Sequence, residues 1–240
     1  PGKWFSEFPA DRELYLDWFG KIGDMNANTI RVYTLLDPVF YEALDEHNRS
    51  DSGERLWLLQ EVWPDDVIPD NNLYDPGFSQ GYSEEIALDL DALHGGYEIQ
   101  QRSGRAWGEY SADVYPYLLG IIIGREISAE EVQVTNESNA GRGDYEGRFV
   151  RTSGASPTEA WMAETCDYTA SYAQDTYGWQ IPVSFVSWPT LDPMVHPTES
   201  TPGADKSQEA DDSQVLDPAH LDARPEARAG LFGTYHIYPY

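Results

Sequence analysis

Residues 118–128, LLGIIIGREIS, constrain the fold more than any other stretch. Aliphatic side chains run without polar alternation to Gly124, and Arg125 and Glu126 then follow as a charged pair. A short apolar run bounded by glycines is the pattern of a strand buried on both faces, as in a parallel sheet. In open α/β sheets and (β/α) barrels, ligands bind at the carboxyl ends of such strands. Glu126 is therefore the leading candidate site residue. The competing reading is structural: an Arg125–Glu126 ion pair that closes the end of the sheet.

Similar runs recur. Residues 29–36 (TIRVYTLL), 55–62 (RLWLLQEV), 181–188 (IPVSFVSW) and 230–240 (GLFGTYHIYPY) read as further strands, making five with residues 118–123. Helical spacing appears between them. Asp11 is placed to cap a helix carrying Leu14, Trp18, Ile22 and Met25, and residues 39–48 read as a second helix. Residues 82–94 form a third, stopped by Gly95, and residues 158–177 a long one with Trp161, Thr165, Tyr168 and Tyr172 on one stripe, stopped by Gly178. A short helix is expected at 111–117, long loops at 65–81 and 189–229, and a polar, Gly-rich stretch from Glu126 to Ser156. Strands that alternate with helices predict parallel pairing with crossover helices. The expected architecture is a single α/β domain over residues 1–240, a TIM (β/α)8-type barrel of which strands two to six are visible, with 189–229 a long acidic loop.

Candidate site residues gather at the strand ends: Arg31 and Tyr33, then Glu61 and Trp63, then Arg125 and Glu126, then Trp188, and last Tyr235, His236 and Tyr238. Tryptophan and tyrosine rings around carboxylates suit pyranose sugars, whose C–H faces stack on aromatic rings while carboxylates bind the hydroxyls. Glycoside hydrolysis needs two carboxyl groups across the scissile bond. Glu61, with Asp65 and Asp66 behind it, is the best partner for Glu126 inside the chain; its other reading is a residue that pairs with Arg31 or Arg125.

Composition narrows the partners. Asp and Glu number 42 against 15 Lys and Arg, for a net charge of −27, and only Lys3, Lys21 and Lys206 are lysines. A phosphate backbone needs basic side chains, so nucleic acid and anionic membrane surfaces are excluded as expected partners. The carboxylates are dispersed along the chain, which matches a salt-screened, halophile-like surface better than an acidic tail. Cys166 is the only cysteine, leaving no intrachain disulfide and no cysteine-based metal site. No apolar run reaches membrane-span length. The abrupt PGKWF and HIYPY ends read as those of a piece of a longer protein.

No cofactor or metal is expected. GREISAEE and GRGDYEG lack the spacing of the nucleotide-binding loops, and there is no GxSxG elbow. DKSQEADD at 205–212 lacks the glycine and the terminal glutamate of a calcium loop, and His196, His220 and His236 have no zinc-site spacing. Asn48 and Asn136 stand in N-x-S sequons.

On these residues the chain resembles the (β/α)8-barrel glycoside hydrolases of the large retaining clan, and in particular barrels related to glycoside hydrolase family 2. The segments that carry the resemblance are TIRVYTLLDPVFYEAL, RLWLLQEVWPDD, LLGIIIGREIS, PVSFVSWPTLDPMVHPTE and GLFGTYHIYPY. It implies a retaining glycosidase or transglycosidase acting on a carbohydrate. Arg31 falls at the clan's strand-two arginine and Glu126 at the acid/base on strand four. Two departures accompany it. Arg125 stands where the clan has an asparagine that binds the sugar 2-hydroxyl, and the clan's nucleophile, a strand-seven glutamate, would lie beyond Tyr240. The alternative is a non-catalytic carbohydrate-binding or scaffolding barrel. Sugar, linkage and oligomeric state are not encoded in any recognisable pattern.

Overall fold

The computed structural model describes residues 10–50, 54–194 and 214–237. The chain is mixed α/β, with a five-strand parallel sheet in the order β1-β2-β5-β7-β9. These strands are Thr29–Val32 (β1), Trp57–Val62 (β2), Leu118–Ile123 (β5), Val183–Ser187 (β7) and Thr234–Tyr235 (β9). They are the five strands expected from the apolar runs, neighbouring one another in chain order; β5 matches residues 118–123 and the other four are shorter than their runs. The chain divides into two compact units: Pro1–Val62 with Glu84–Ile121, and Trp63–Ser83 with Ile122–Tyr240.

In the first unit, helix α1 (Arg12–Asp24) begins where Asp11 accepts a hydrogen bond from Leu14 N at 3.1 Å. It buries Tyr15 and Phe19, one turn apart, and both meet Phe40 edge-on. Phe40 belongs to α2 (Pro38–Arg49), which starts on Pro38, a residue pre-set for the first helical position. Asn48, near the end of α2, binds both backbone groups of Leu56, at 2.9 and 2.8 Å, and so aligns the entry to β2. β1 and β2 pair in parallel from Thr29↔Trp57 to Val32↔Gln60. Helix α3 spans Pro76–His94, and its second half closes this unit. Gly95 follows at φ 75°, where a Cβ would lie 2.8 Å from the Ala112 backbone, so no other residue fits. An antiparallel hairpin of β3 (Tyr97–Ile99) and β4 (Gly108–Tyr110) comes next, and its connecting loop is tied to α3 by Arg102 and Arg105 on Glu85.

The second unit is built around α5 (Pro157–Tyr177). Ser156 and Glu159 form a capping box at its start, and Gly178 ends it in the left-handed conformation. Met162, Cys166, Thr169 and Ala173, at helical spacing, are buried, as are Trp161 and Thr165. Trp161 stacks on Phe78 and Tyr82 and meets Phe185 of β7 edge-on. Helix α4 (Ala129–Ser138) has its own capping box from Ser128 and Glu131. β6 (Val150–Thr152) pairs antiparallel with β8 (Leu221–Ala223), and β7 pairs in parallel with β9, Val186↔Thr234.

Several expectations need correction. The loop at 65–81 becomes helical from Pro76. Residues 111–117 form only a 3-10 turn at Tyr115–Tyr117, because Pro116 interrupts any longer helix. The polar stretch after Glu126 contains α4 and β6. Tyr168 and Tyr172, on the stripe of α5 that carries Trp161 and Thr165, are half-buried and pair with each other. The 189–229 segment is not all loop, since β8 lies within it. Asn136, in one sequon, accepts hydrogen bonds from Thr158. Among the described residues, no helix is long and apolar enough to cross a membrane.

Candidate functional site

The site begins where β5 ends. Gly124 has φ 92°, and a Cβ there would sit 2.6 Å from the Phe185 ring. Its N–H donates to the hydroxyl of the buried Tyr82. This turn, open only to glycine, lets the chain leave the buried strand and brings Arg125 and Glu126 out at its carboxyl end.

Arg125 and Glu126 do not pair through their side chains. Arg125 grips Glu131 with both terminal nitrogens, at 2.7 and 3.2 Å, and also donates to the carbonyls of Glu126 at 2.7 Å and Asp66 at 3.1 Å. Glu131 in turn accepts from Ser128 N at 2.8 Å as half of the α4 capping box. The arginine therefore clamps the backbone on either side of the site, and its charge is answered by Glu131.

Glu126 is left to a different partner. Its Oε1 lies 2.8 Å from Nδ1 of His236, whose side chain is 4% exposed against 25% for Glu126. His236 is fixed from its backbone, where its N–H donates to Ser187 O at 2.8 Å and continues the β7–β9 ladder. Its ring lies 6.2 Å from that of Trp63, inclined by 33°. Trp188 donates from Nε1 to Ile127 O at 3.0 Å, pinning the residue that follows Glu126. At this distance Nδ1 donates to a carboxylate or accepts from a carboxylic acid, according to the imidazole tautomer. What the arrangement offers chemically is a solvent-reachable carboxyl with a buried proton partner and an aromatic wall.

Of the sequence-level candidates, the second unit brings together Trp63, Arg125, Glu126, Trp188 and His236. Tyr235, next to His236, is 40% exposed, because adjacent strand residues face opposite ways. Arg31, Tyr33 and Glu61 belong to the first unit. There Glu61 is fully buried and bound by Arg31, whose guanidinium lies 5.6 Å from the centre of the Tyr33 ring. Gln60 beside it accepts from the Tyr41 hydroxyl at 2.8 Å. Tyr238, His196 and the DKSQEADD segment lie outside the described residues. The residue that sequence reasoning missed is Glu131, and its signal was present: S-x-x-E at Ser128 opens a helix and fixes where that glutamate points. Among the described residues, no three His, Cys, Asp or Glu side chains converge as a metal site.

The chain matches no family model and no curated protein sequence.

Proposed function

We propose that this chain is part of a retaining (β/α)8-barrel glycoside hydrolase or transglycosidase, with Glu126 as its general acid and base. The reading rests on one observation: Glu126 stands at the carboxyl end of a central parallel strand, a quarter exposed, hydrogen-bonded to His236 beside Trp63. In the first step Glu126 protonates the leaving oxygen, and in the second it removes a proton from water. His236 holds the carboxyl in place as its proton leaves and returns. Trp63 and Trp188 offer faces for a sugar ring. The nucleophilic carboxylate would come from a further strand after Tyr240, in a barrel completed by strands on both sides of those seen here. Arg125 would not bind a sugar hydroxyl as the clan's asparagine does, because both of its terminal nitrogens are held by Glu131 and two carbonyls.

The test uses the full-length protein and a panel of aryl glycosides. Glu126→Ala should lose about 10²- to 10⁴-fold on natural glycosides, the usual share of general acid–base catalysis. On a dinitrophenyl glycoside, whose leaving group needs no proton, the first step should survive and the second should stall. Azide should then restore turnover and give the glycosyl azide with the substrate's anomeric configuration. Near-native activity of Glu126→Ala on natural sugars would remove Glu126 from the chemistry. Sugar binding without turnover by the wild type would favour a non-catalytic carbohydrate-binding barrel.

A further inference from the structure

A second feature of the same unit lies away from Glu126. A cavity of about 220 Å³ opens between α5, β7 and residues 231–235, lined by Met162, Cys166, Phe185 and Phe232, with Pro218 and Leu221 as one wall. Cys166, 1% exposed, is the only thiol in the chain. Pro218 lies in a 3-10 turn and Leu221 is the first residue of β8, and Glu159 of α5 is hydrogen-bonded to this wall. The buried carboxylate of Glu159, already engaged in the α5 capping box, accepts from Asp217 N at 2.6 Å and faces His220 Nδ1 at 2.9 Å.

We infer that residues 217–221 are a proton-operated latch over this cavity, closed while His220 is charged against Glu159 and loosened when that charge is lost. The groups that face His220 are Glu159 from α5, Asp217 from its own turn and Asp144 from the loop before β6, all acidic. The hydrogen bond to Glu159 raises His220 above the ordinary histidine range; partial burial opposes this, and the three negative charges add to it. For a histidine raised in the folded state, the stabilisation is complete below the unfolded value of about 6.5 and is lost as pH rises through the higher folded value. Loosening is local. The strap keeps its other ties: Ser153 N to His220 O at 3.2 Å, the β6–β8 ladder, and Leu216 N to Leu191 O at 2.8 Å.

The lone thiol makes the latch measurable. Labelling of Cys166 by a disulfide reagent is compared between variants at the same pH, so that the thiolate fraction cancels. At about pH 6, His220→Gln should label about three- to tenfold faster than wild type, and at about pH 8.5, about two units above the ordinary histidine value, the ratio should be smaller. His220→Arg, charged throughout, should label more slowly than wild type at the higher pH. A ratio of His220→Gln to wild type that is the same at both pH values, whether unity or a uniform increase from general destabilisation, would overturn the latch.

Discussion

The two units answer the same problem, an arginine and a glutamate near the carboxyl ends of parallel strands, in opposite ways. In the first, Arg31 from β1 takes Glu61 from β2, and the glutamate is fully buried. In the second, Arg125 bypasses the adjacent Glu126 for Glu131 and leaves Glu126 to a histidine and to solvent. Arg31 is a permanently charged partner that closes over its glutamate. His236 is a partner whose ring nitrogen can either donate or accept. The contrast separates a glutamate closed inside a buried ion pair from one that reaches solvent.

The sharpest way to break that contrast is to weigh the two glutamates by stability. Arg31→Met removes the cation beside a fully buried carboxylate. It should cost about 3 kcal/mol in urea unfolding, the low end for breaking a buried pair, because Arg31 keeps some access to solvent. Glu126→Gln keeps a hydrogen-bonding group toward His236 at a partly exposed position and should change stability by less than about 1 kcal/mol. Equal costs would mean that Glu126 is as structural as Glu61.

That difference was only half legible in the chain. The apolar runs located all five sheet strands, because continuous hydrophobicity leaves a buried parallel strand as the simplest reading. They also placed Glu126 at a strand end. The choice of partner was not legible, because Arg125 is next to Glu126 in sequence and six residues from Glu131, and only the α4 capping box shows which carboxylate turns back. Equally, nothing in GLFGTYHIYPY says which residue faces inward until β9 pairs with β7 and buries His236 rather than Tyr235. The β3–β4 hairpin escaped notice because strands of three residues are too short to show a period.

A smaller effect tests how the Glu126 turn is built. Gly124→Ala places a methyl against Phe185 at a backbone angle that L-residues avoid. The conformational cost is about 1–2 kcal/mol and the displacement of the ring adds to it, for about 2 kcal/mol or more in total. The loss should come with a shift in the near-ultraviolet signal of the Trp161–Phe185 cluster. A neutral Gly124→Ala would show that the turn is pliable and that Glu126 is not held by it.

Salt gives the smallest effect, and it sorts the ion pairs by burial. The charge excess of 42 acidic over 15 basic residues should make wild-type stability rise with KCl beyond 1 M, as for a halophilic surface. At molar salt the screening length is only about 3 Å, so repulsion among surface carboxylates is already quenched and any further gain comes from hydration or bound ions. The Arg12–Glu46 pair, nearly half exposed on both sides, should contribute only slightly at low salt and nothing measurable at high salt. The Arg31–Glu61 pair is shielded from the screening ions by burial, so the Arg31→Met deficit should persist in 2 M KCl while the Arg12→Met deficit vanishes. If both deficits shrink together, solvent reaches Glu61 as freely as it reaches the surface, and the closed pair of the first unit is no different in kind from the open one of the second.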